Sequence, residues 1–180
     1  MDAGQREYLQ KRYRSNEWFG RVGRTHRVIK DFDFDGSEIK RWKMQRRRLD
    51  QEAKLSVVHS IWSHGESTNE LIAIDVFECA SVKSAHDQLI EALGNMESDA
   101  VARRTEKSAP GEIAFGLGDT MMLFSRANVV VLIRNAGPSV VSVAAIAREL
   151  DDVLVQRLEN RPPRGRPHER TSRSRPAKRR

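Results

Sequence analysis

The sequence contains one cysteine, Cys79, and few aromatic residues, which make up 6% of the chain. A lone cysteine cannot form an internal disulfide, so a disulfide-stapled scaffold is excluded and stability must come from a hydrophobic core. No apolar run approaches the roughly 18 residues that would span a bilayer. The N-terminal stretch carries charges throughout and lacks the apolar h-region of a secretory signal. We expect a soluble protein, cytoplasmic if the chain is complete as given and extracytoplasmic if a signal segment was removed.

The basic character of the chain is concentrated at its C-terminal end. The net charge is +7 over 180 residues, and residues 161–180 alone hold nine basic residues and one acid. The preceding residues are therefore nearly neutral, so the charge does not describe the folded part. With 38% hydrophobic residues, that part can form one domain core.

The C-terminal segment is rich in arginine and proline, a composition that cannot repay the entropy of ordering. We predict a peripheral N-terminal helix within residues 1–20, a single α+β domain over 21–160 and a disordered basic tail over 161–180. Clustered arginine neutralises phosphates, so the tail is expected to bind nucleic acid or an anionic surface without sequence preference. A tail that only solubilises the protein is the other interpretation. The predicted anion contacts are Arg164, Arg166, Arg170, Arg173, Arg175, Lys178, Arg179 and Arg180.

A second charge asymmetry lies within the body. Residues 1–60 carry 15 basic and nine acidic residues, whereas residues 61–160 carry eight basic and 15 acidic ones. Opposite charge favours contact between the two halves, or head-to-tail contact between two copies. The sequence thus allows a homo-oligomer without identifying its interface.

The first third of the chain has weak periodicity. Residues 2–14 predict a short helix, and residues 27–34 alternate apolar and charged side chains as a strand does. Residues 37–54 fit two structures. Near-helical spacing of their apolar positions favours a helix, which we prefer, and the alternative is a strand with Trp42 and Met44 on one face.

The rest of the chain has clearer patterns. Two β-rich runs at residues 55–62 and 71–77 predict an antiparallel hairpin. Ser81 is a suitable N-cap for a helix that ends near Gly94. Four short strands between residues 101 and 134 and a long helix after Ser139 complete the pattern.

The element order, roughly (α)β(α)ββαββββα, predicts an α+β layered sandwich. In this class, helices pack on one face of an antiparallel sheet, and short connections between strands require antiparallel pairing. A doubly wound α/β fold is less consistent with the order.

The stretch DFDFDG at residues 31–36 resembles motifs of two families. It is similar to the start of an EF-hand loop, which implies Asp31, Asp33 and Asp35 as metal ligands, but position twelve is Trp42 instead of the bidentate glutamate. It also resembles the first motif of haloacid-dehalogenase-like phosphotransferases. That resemblance implies Asp33 as nucleophile and Asp35 as acid/base of a magnesium-dependent phosphohydrolase. The remaining acidic pair of that family is missing, and we favour an edge strand with outward aspartates.

Three other groups could carry chemistry. Cys79 and His86 flank a helix N-terminus, which could activate the thiol, but a buried structural cysteine and a solvent-facing histidine is the favoured interpretation. His59, His64 and Glu66 resemble a metal set only in composition, because a spacing of five places the two histidines on opposite faces of a strand. Three tryptophans are expected to pack in the core and at its rim instead of lining a pocket. The basic cluster at residues 41–48 is expected to wrap a helix as a solvated face.

Residues 111–154 resemble the closing half of some prokaryotic extracytoplasmic lipoprotein and sensor domains. The resemblance rests on GEIAFGLGD at 111–119, on LFSRANVVV at 123–131 and on the helix that follows. Glu112 and Ala127 stand where that pattern has Asp and Gly. The resemblance implies a non-catalytic binding module on an α+β sheet.

We therefore expect a non-enzymatic binding or protein-interaction module with a basic tail and no cofactor. The alternative is the phosphohydrolase centred on Asp33 and Asp35. The ligand, which would be a protein or a small molecule, is not indicated by the sequence.

Overall fold

The computed structural model of the protein describes residues 1–18, 28–30, 32, 39–52, 55–96 and 98–159. The predicted metal ligands and nucleophile at Asp31, Asp33 and Asp35, and the whole predicted tail, lie outside the described residues. Residues 28–30 and 32 belong to the predicted strand over 27–34 and have no regular secondary structure.

Within the described residues, seven strands form one sheet in the order β1-β2-β3-β7-β6-β5-β4, and every pairing between neighbours is antiparallel. The predicted α+β class and antiparallel sheet with helices packed against it are confirmed. The strands are β1 (Trp42–Glu52), β2 (Leu55–His64), β3 (Leu71–Cys79), β4 (Ala102–Arg104), β5 (Ile113–Leu117), β6 (Met121–Arg126) and β7 (Val129–Asn135); the helices are α1 (Ala3–Arg12), α2 (Val82–Gly94) and α3 (Ala144–Glu159).

The helices cover both faces of the sheet, so the prediction that they pack on one face is wrong. Side chains alternate between faces along each strand, and both faces of the central strands are apolar. In β7, Val129 and Val131 belong to the core beneath α3, whereas Val130 and Leu132 belong to the core beneath α1 and α2. The long apolar runs reflect burial on two sides.

Residues 42–52 form strand β1, so the preference for a helix over residues 37–54 is wrong and the strand alternative is right. A β-bulge between Met44 and Arg46 shifts the register against β2. Because the bulge inserts one residue, the core-facing positions change parity after Met44. The pattern over the whole segment therefore departs from the period of two.

Helix α1 contributes to the core beneath α2. Asp2 caps its N-terminus by accepting a hydrogen bond from Gln5 N at 2.7 Å. Leu9 and Tyr13 are buried, and the Tyr13 ring packs edge-on against Phe115 with 5.0 Å between centroids. Residues 1–18 thus belong to the same folded body as α2.

Helix α3 begins at Ala144, five residues after the predicted cap at Ser139. The backbone of residues 136–143 is engaged in tertiary hydrogen bonds: Ser139 N donates to Asn69 O, and Val143 N donates to Asp119 O. The preceding loop is therefore fixed outside the helix. No helix among the described residues is long and apolar enough to cross a membrane.

Candidate functional site

The aspartates of the DFDFDG stretch cannot be compared with a catalytic geometry, because they lie outside the described residues. The strands that the structure describes pair only antiparallel. The phosphotransferase family places its aspartates at the carboxyl ends of parallel strands, and that setting is missing from the described sheet. No observation on the described residues supports the phosphohydrolase alternative.

Cys79 and His86 do not form an activated pair. Burial raises the pKa of the Cys79 thiol to about 12, with a smaller contribution from the nearby Glu78 carboxylate. A raised pKa is opposite to the activation that a helix N-terminus would produce. His86 is buried and its ring lies edge-on to Trp18, so the expectation of a solvent-facing histidine is wrong. Helix α1 and the turn after it cover this side of α2.

The two histidines of β2 point to opposite faces, as their spacing predicted. His64 contacts Glu70 at 2.8 Å and lies against Trp42, whereas His59 contacts Asp75. Within the described residues, no group of three or more His, Cys, Asp and Glu side chains is arranged to hold a metal ion.

The tryptophans have packing roles, in agreement with the sequence interpretation. Trp62 is fully buried beneath α3 and donates from Nε1 to Ser60 Oγ at 2.8 Å. Trp18 is buried beside α1 and donates from Nε1 to Tyr13 O at 3.0 Å. Trp42 is partly buried at the end of β1.

A polar cluster lies across four strands on the face that also carries α2. Arg48 pairs with His59 and His59 with Asp75 in the sheet register, so these side chains form one row. Arg134, from β7, contacts the carboxylate of Asp75. The sequence signal for this cluster was a charged residue inside an apolar strand, at Asp75 in LIAIDVF and at Arg134 in VVVLIRN.

Asp75 is the centre of the cluster. Its side chain is 9% exposed, its Oδ1 lies 2.8 Å from His59 Nδ1 and its Oδ2 accepts from Arg134 NH1 at 2.9 Å. Two charge-capable donors thus satisfy a buried carboxylate, as burial requires. The other ring nitrogen of His59, Nε2, lies 3.5 Å from Asp50 Oδ2. Both of these contacts of the His59 ring are to carboxylates.

Arg134 also lines an apolar groove at the end of α2. The groove has a volume of about 460 Å³ and is open to solvent. Its wall is fixed by Asn135, whose side chain donates to Thr120 O and Val141 O, both at 2.9 Å, and accepts from Val141 N at 2.8 Å. The lining residues are Met96, Ser98, Val101, Leu117, Thr120, Met121, Arg134, Asn135 and Val140, hereafter the Arg134 groove.

A smaller cavity of about 240 Å³ lies on the α3 side. Arg104 at its edge donates to Glu106 Oε1 at 2.6 Å and to Asp119 Oδ1 at 3.2 Å. These hydrogen bonds raise the pKa of Arg104, with Glu106 contributing most. The lining contains Arg148 as a second cation, so two carboxylates balance two arginines and the cavity has no preference for an anion.

Comparison with protein-family models, with curated proteins and with solved structures finds no match for this chain. The resemblance of residues 111–154 to lipoprotein and sensor domains stays a prediction.

Proposed function

We propose that this protein is a non-enzymatic binding module whose ligand is a small amphipathic anion held in the Arg134 groove. The observation that carries the proposal is a single arginine, held by a buried aspartate, in a groove whose other lining residues are uncharged and mostly apolar. An anionic head group would accept hydrogen bonds from Arg134, and an aliphatic or aromatic body would lie on the groove wall.

The groove favours an apolar body because of its lining. Five of its nine lining residues are apolar: Met96, Val101, Leu117, Met121 and Val140. Methionine side chains adapt to ligands of different shape, and Val140 at the rim is 71% exposed, so a bound chain would shield it from water. Apolar contact supplies affinity in this arrangement.

Arg134 would orient the ligand and give the groove its preference for a negative charge. Its NH1 atom contacts Asp75 Oδ2 at 2.9 Å, and its side chain remains 50% exposed. The guanidinium group has five N–H donors, so the contact with Asp75 leaves donors for a carboxylate. His59 also contacts Asp75, so Arg134 shares this carboxylate with a second basic side chain.

The proposal is tested by titrating the 15N-labelled full chain with octanoate and measuring the dissociation constant. Octanol serves as an uncharged probe of the same length. We expect Arg134→Gln to weaken octanoate binding by about 10- to 100-fold, the range for losing a charge-assisted hydrogen bond, and to leave octanol binding unchanged.

Arg103→Gln is the matched control, because Arg103 is an exposed arginine on β4 that does not line the groove. This variant should bind octanoate as the unchanged chain does. Equal weakening by Arg103→Gln, or equal affinity of the unchanged chain for octanoate and octanol, would contradict the role of Arg134.

The basic tail is proposed to add a nonspecific contact with nucleic acid or another anionic partner. Its nine basic residues within residues 161–180 support this function, since clustered charge releases counterions on binding. Deleting residues 161–180 should abolish salt-dependent retention on immobilised DNA and leave octanoate binding intact. Undiminished retention of the truncated chain at low salt would reject the tail as the contact.

A further inference from the structure

Strand β1 is an edge of the sheet. It pairs with β2 on one side, and no strand that the structure describes pairs with its other side. The edge is long, and Leu49 near its middle is 47% exposed, an unusual position for a leucine on a sheet. A strand of another chain can pair with an edge strand of this length through backbone hydrogen bonds.

The charges of this edge are complementary to those of a second copy that runs in the opposite direction. Residues 46–52 read RRRLDQE, with three arginines before Leu49 and acids after it. An isologous dimer brings the same segment of both copies together in opposite directions. Such a contact requires a self-complementary segment, and residues 46–52 are self-complementary when Leu49 lies at the centre.

The β-bulge limits the regular part of the edge to these residues. The register shift lies between Met44 and Arg46, and Gln45 there donates from Nε2 to Ser63 Oγ at 2.7 Å. A bulge ends the straight pairing surface of an edge. The straight segment available to a second strand is therefore the charge-complementary one.

One antiparallel register avoids every directly opposed pair of like charges. A two-fold axis at Leu49 places this leucine against its own copy and Arg48 opposite Asp50 of the second copy. Arg47 then comes opposite Gln51, and Arg46 opposite the position of Glu52. If the two-fold axis passes through Arg48 or Arg47 instead, that arginine lies opposite its own copy. In a parallel pairing in register, all three arginines lie opposite their own copies.

Asp50 is positioned to accept a second arginine. Arg48 NH2 donates to Asp50 Oδ2 at 2.7 Å, and the contact with His59 uses the same oxygen. Both contacts that Asp50 makes within the described part of the chain thus fall on one side of the carboxylate. Arg48 is 63% and Asp50 45% exposed at the side chain, so neither is committed to the core.

We propose that β1 is a homodimerisation edge, and that two copies of this chain pair antiparallel through residues 46–52 with Leu49 at the two-fold axis. The pairing joins the two sheets into one continuous sheet across the interface. A single strand pair is a small contact, so the dimer is expected to form reversibly with concentration. The inference does not depend on the ligand of the Arg134 groove.

The test is a set of charge reversals in the full chain, measured by sedimentation velocity over a range of concentrations. Arg48→Asp opposes two aspartates at each symmetry-related position, and Asp50→Arg opposes two arginines. We expect each variant to weaken dimerisation by more than about tenfold, because each removes two cross-strand pairs and creates two repulsive ones.

Two rescue experiments separate this register from a general charge effect. The double variant R48D/D50R restores opposite charges in the homodimer and should dimerise as the unchanged chain does. A one-to-one mixture of Arg48→Asp and Asp50→Arg chains should form heterodimers, since each position again meets its opposite charge. The Arg103→Asp chain, altered at the other edge of the sheet, should dimerise normally.

Circular dichroism of each variant verifies that the sheet is retained. A monomeric unchanged chain at all concentrations would overturn the proposal. Dimerisation that persists in both single variants, or a mixture that fails to associate, would overturn it as well. Octanoate affinity is measured on the same variants, because Asp50 is connected to the groove through the contacts of His59, Asp75 and Arg134.

Discussion

Asn128 provides a sharp test of how the chain before β1 is attached to the sheet. Its side chain is 1% exposed and makes three hydrogen bonds to backbone groups. Oδ1 accepts from Ile29 N at 2.6 Å, and Nδ2 donates to Ile29 O at 2.8 Å and to Cys79 O at 2.7 Å. One side chain thus joins the β6–β7 turn, the end of β3 and the segment at residue 29.

Replacing Asn128 with alanine leaves these backbone groups without their partner. An unsatisfied buried polar group costs about 1–3 kcal/mol, and three groups lose a hydrogen bond. Water can reach residue 29 if its segment separates, so we expect a total near the lower end, about 3 kcal/mol. Phe32 N, which donates to Glu78 Oε2 at 2.7 Å, is a second attachment that limits the separation.

Urea unfolding followed by tryptophan fluorescence measures the loss of stability, and amide exchange of Ile29 measures the local attachment. Asn95→Ala is the control, because Asn95 is an exposed residue at the end of α2, and should change stability by less than about 0.5 kcal/mol. A loss of less than about 1 kcal/mol in the free energy of unfolding for Asn128→Ala, with unchanged amide exchange at Ile29, would show that Asn128 does not attach this segment to the sheet.

Two further predictions concern buried groups. Arg126 holds Asp151 of α3 through two hydrogen bonds of 2.8 and 2.6 Å, and the contact with Asp151 raises the pKa of Arg126. Asp151→Ala should therefore cost about 2–3 kcal/mol in urea unfolding, and combining it with Arg126→Met should recover part of the loss; a double variant less stable than the single one contradicts this. Burial raises the pKa of Cys79 from 9.0 to about 12, so its thiol should react with a disulfide reagent at pH about 8 on the order of 10³-fold more slowly than in urea. Because the folded state favours the neutral thiol, the Cys79 thiol stabilises the fold below pH 9.0, and this stabilisation is lost as the pH rises toward 12. Cys79→Ala should remove this pH dependence of the free energy of unfolding. Rapid labelling of the thiol in the native state would contradict the raised pKa.

The sequence predicted those elements whose apolar pattern is regular from end to end, either as a helical stripe or as a continuous β-rich run. Strands β2 and β3, the Ser81-capped helix α2 and the final strands follow this rule. Residues 42–52 do not, because the bulge at Gln45 changes the parity of core-facing residues within one strand. A local pattern cannot show a shift that is set by pairing with β2.

Burial by distant elements explains the other differences. His86 lies on α2, and its burial depends on Trp18, which a local helical pattern does not bring near it. Both faces of the sheet are covered because α1 and α2 lie opposite α3, and strand order alone does not determine on which face a helix packs.

The candidate site was only partly visible in the sequence. Asp75 and Arg134 were recognisable as charges within apolar strands, but their contact with His59 requires the registers of β2, β3 and β7. The groove depends on where the end of α2 lies relative to β5 and β6, which is a tertiary property. Sequence reasoning therefore missed this site, although the two charged residues within apolar strands were a signal for it.

Ligand binding in the Arg134 groove is tested most directly by a backbone chemical-shift map of the full chain at saturating octanoate. We expect Arg134→Gln to reduce the chemical-shift changes, which should be largest at the groove residues Met96, Ser98, Val101, Leu117, Thr120, Met121, Arg134, Asn135 and Val140. Changes confined to other residues, or no saturable change at any residue, would contradict the assignment of the Arg134 groove as the binding site.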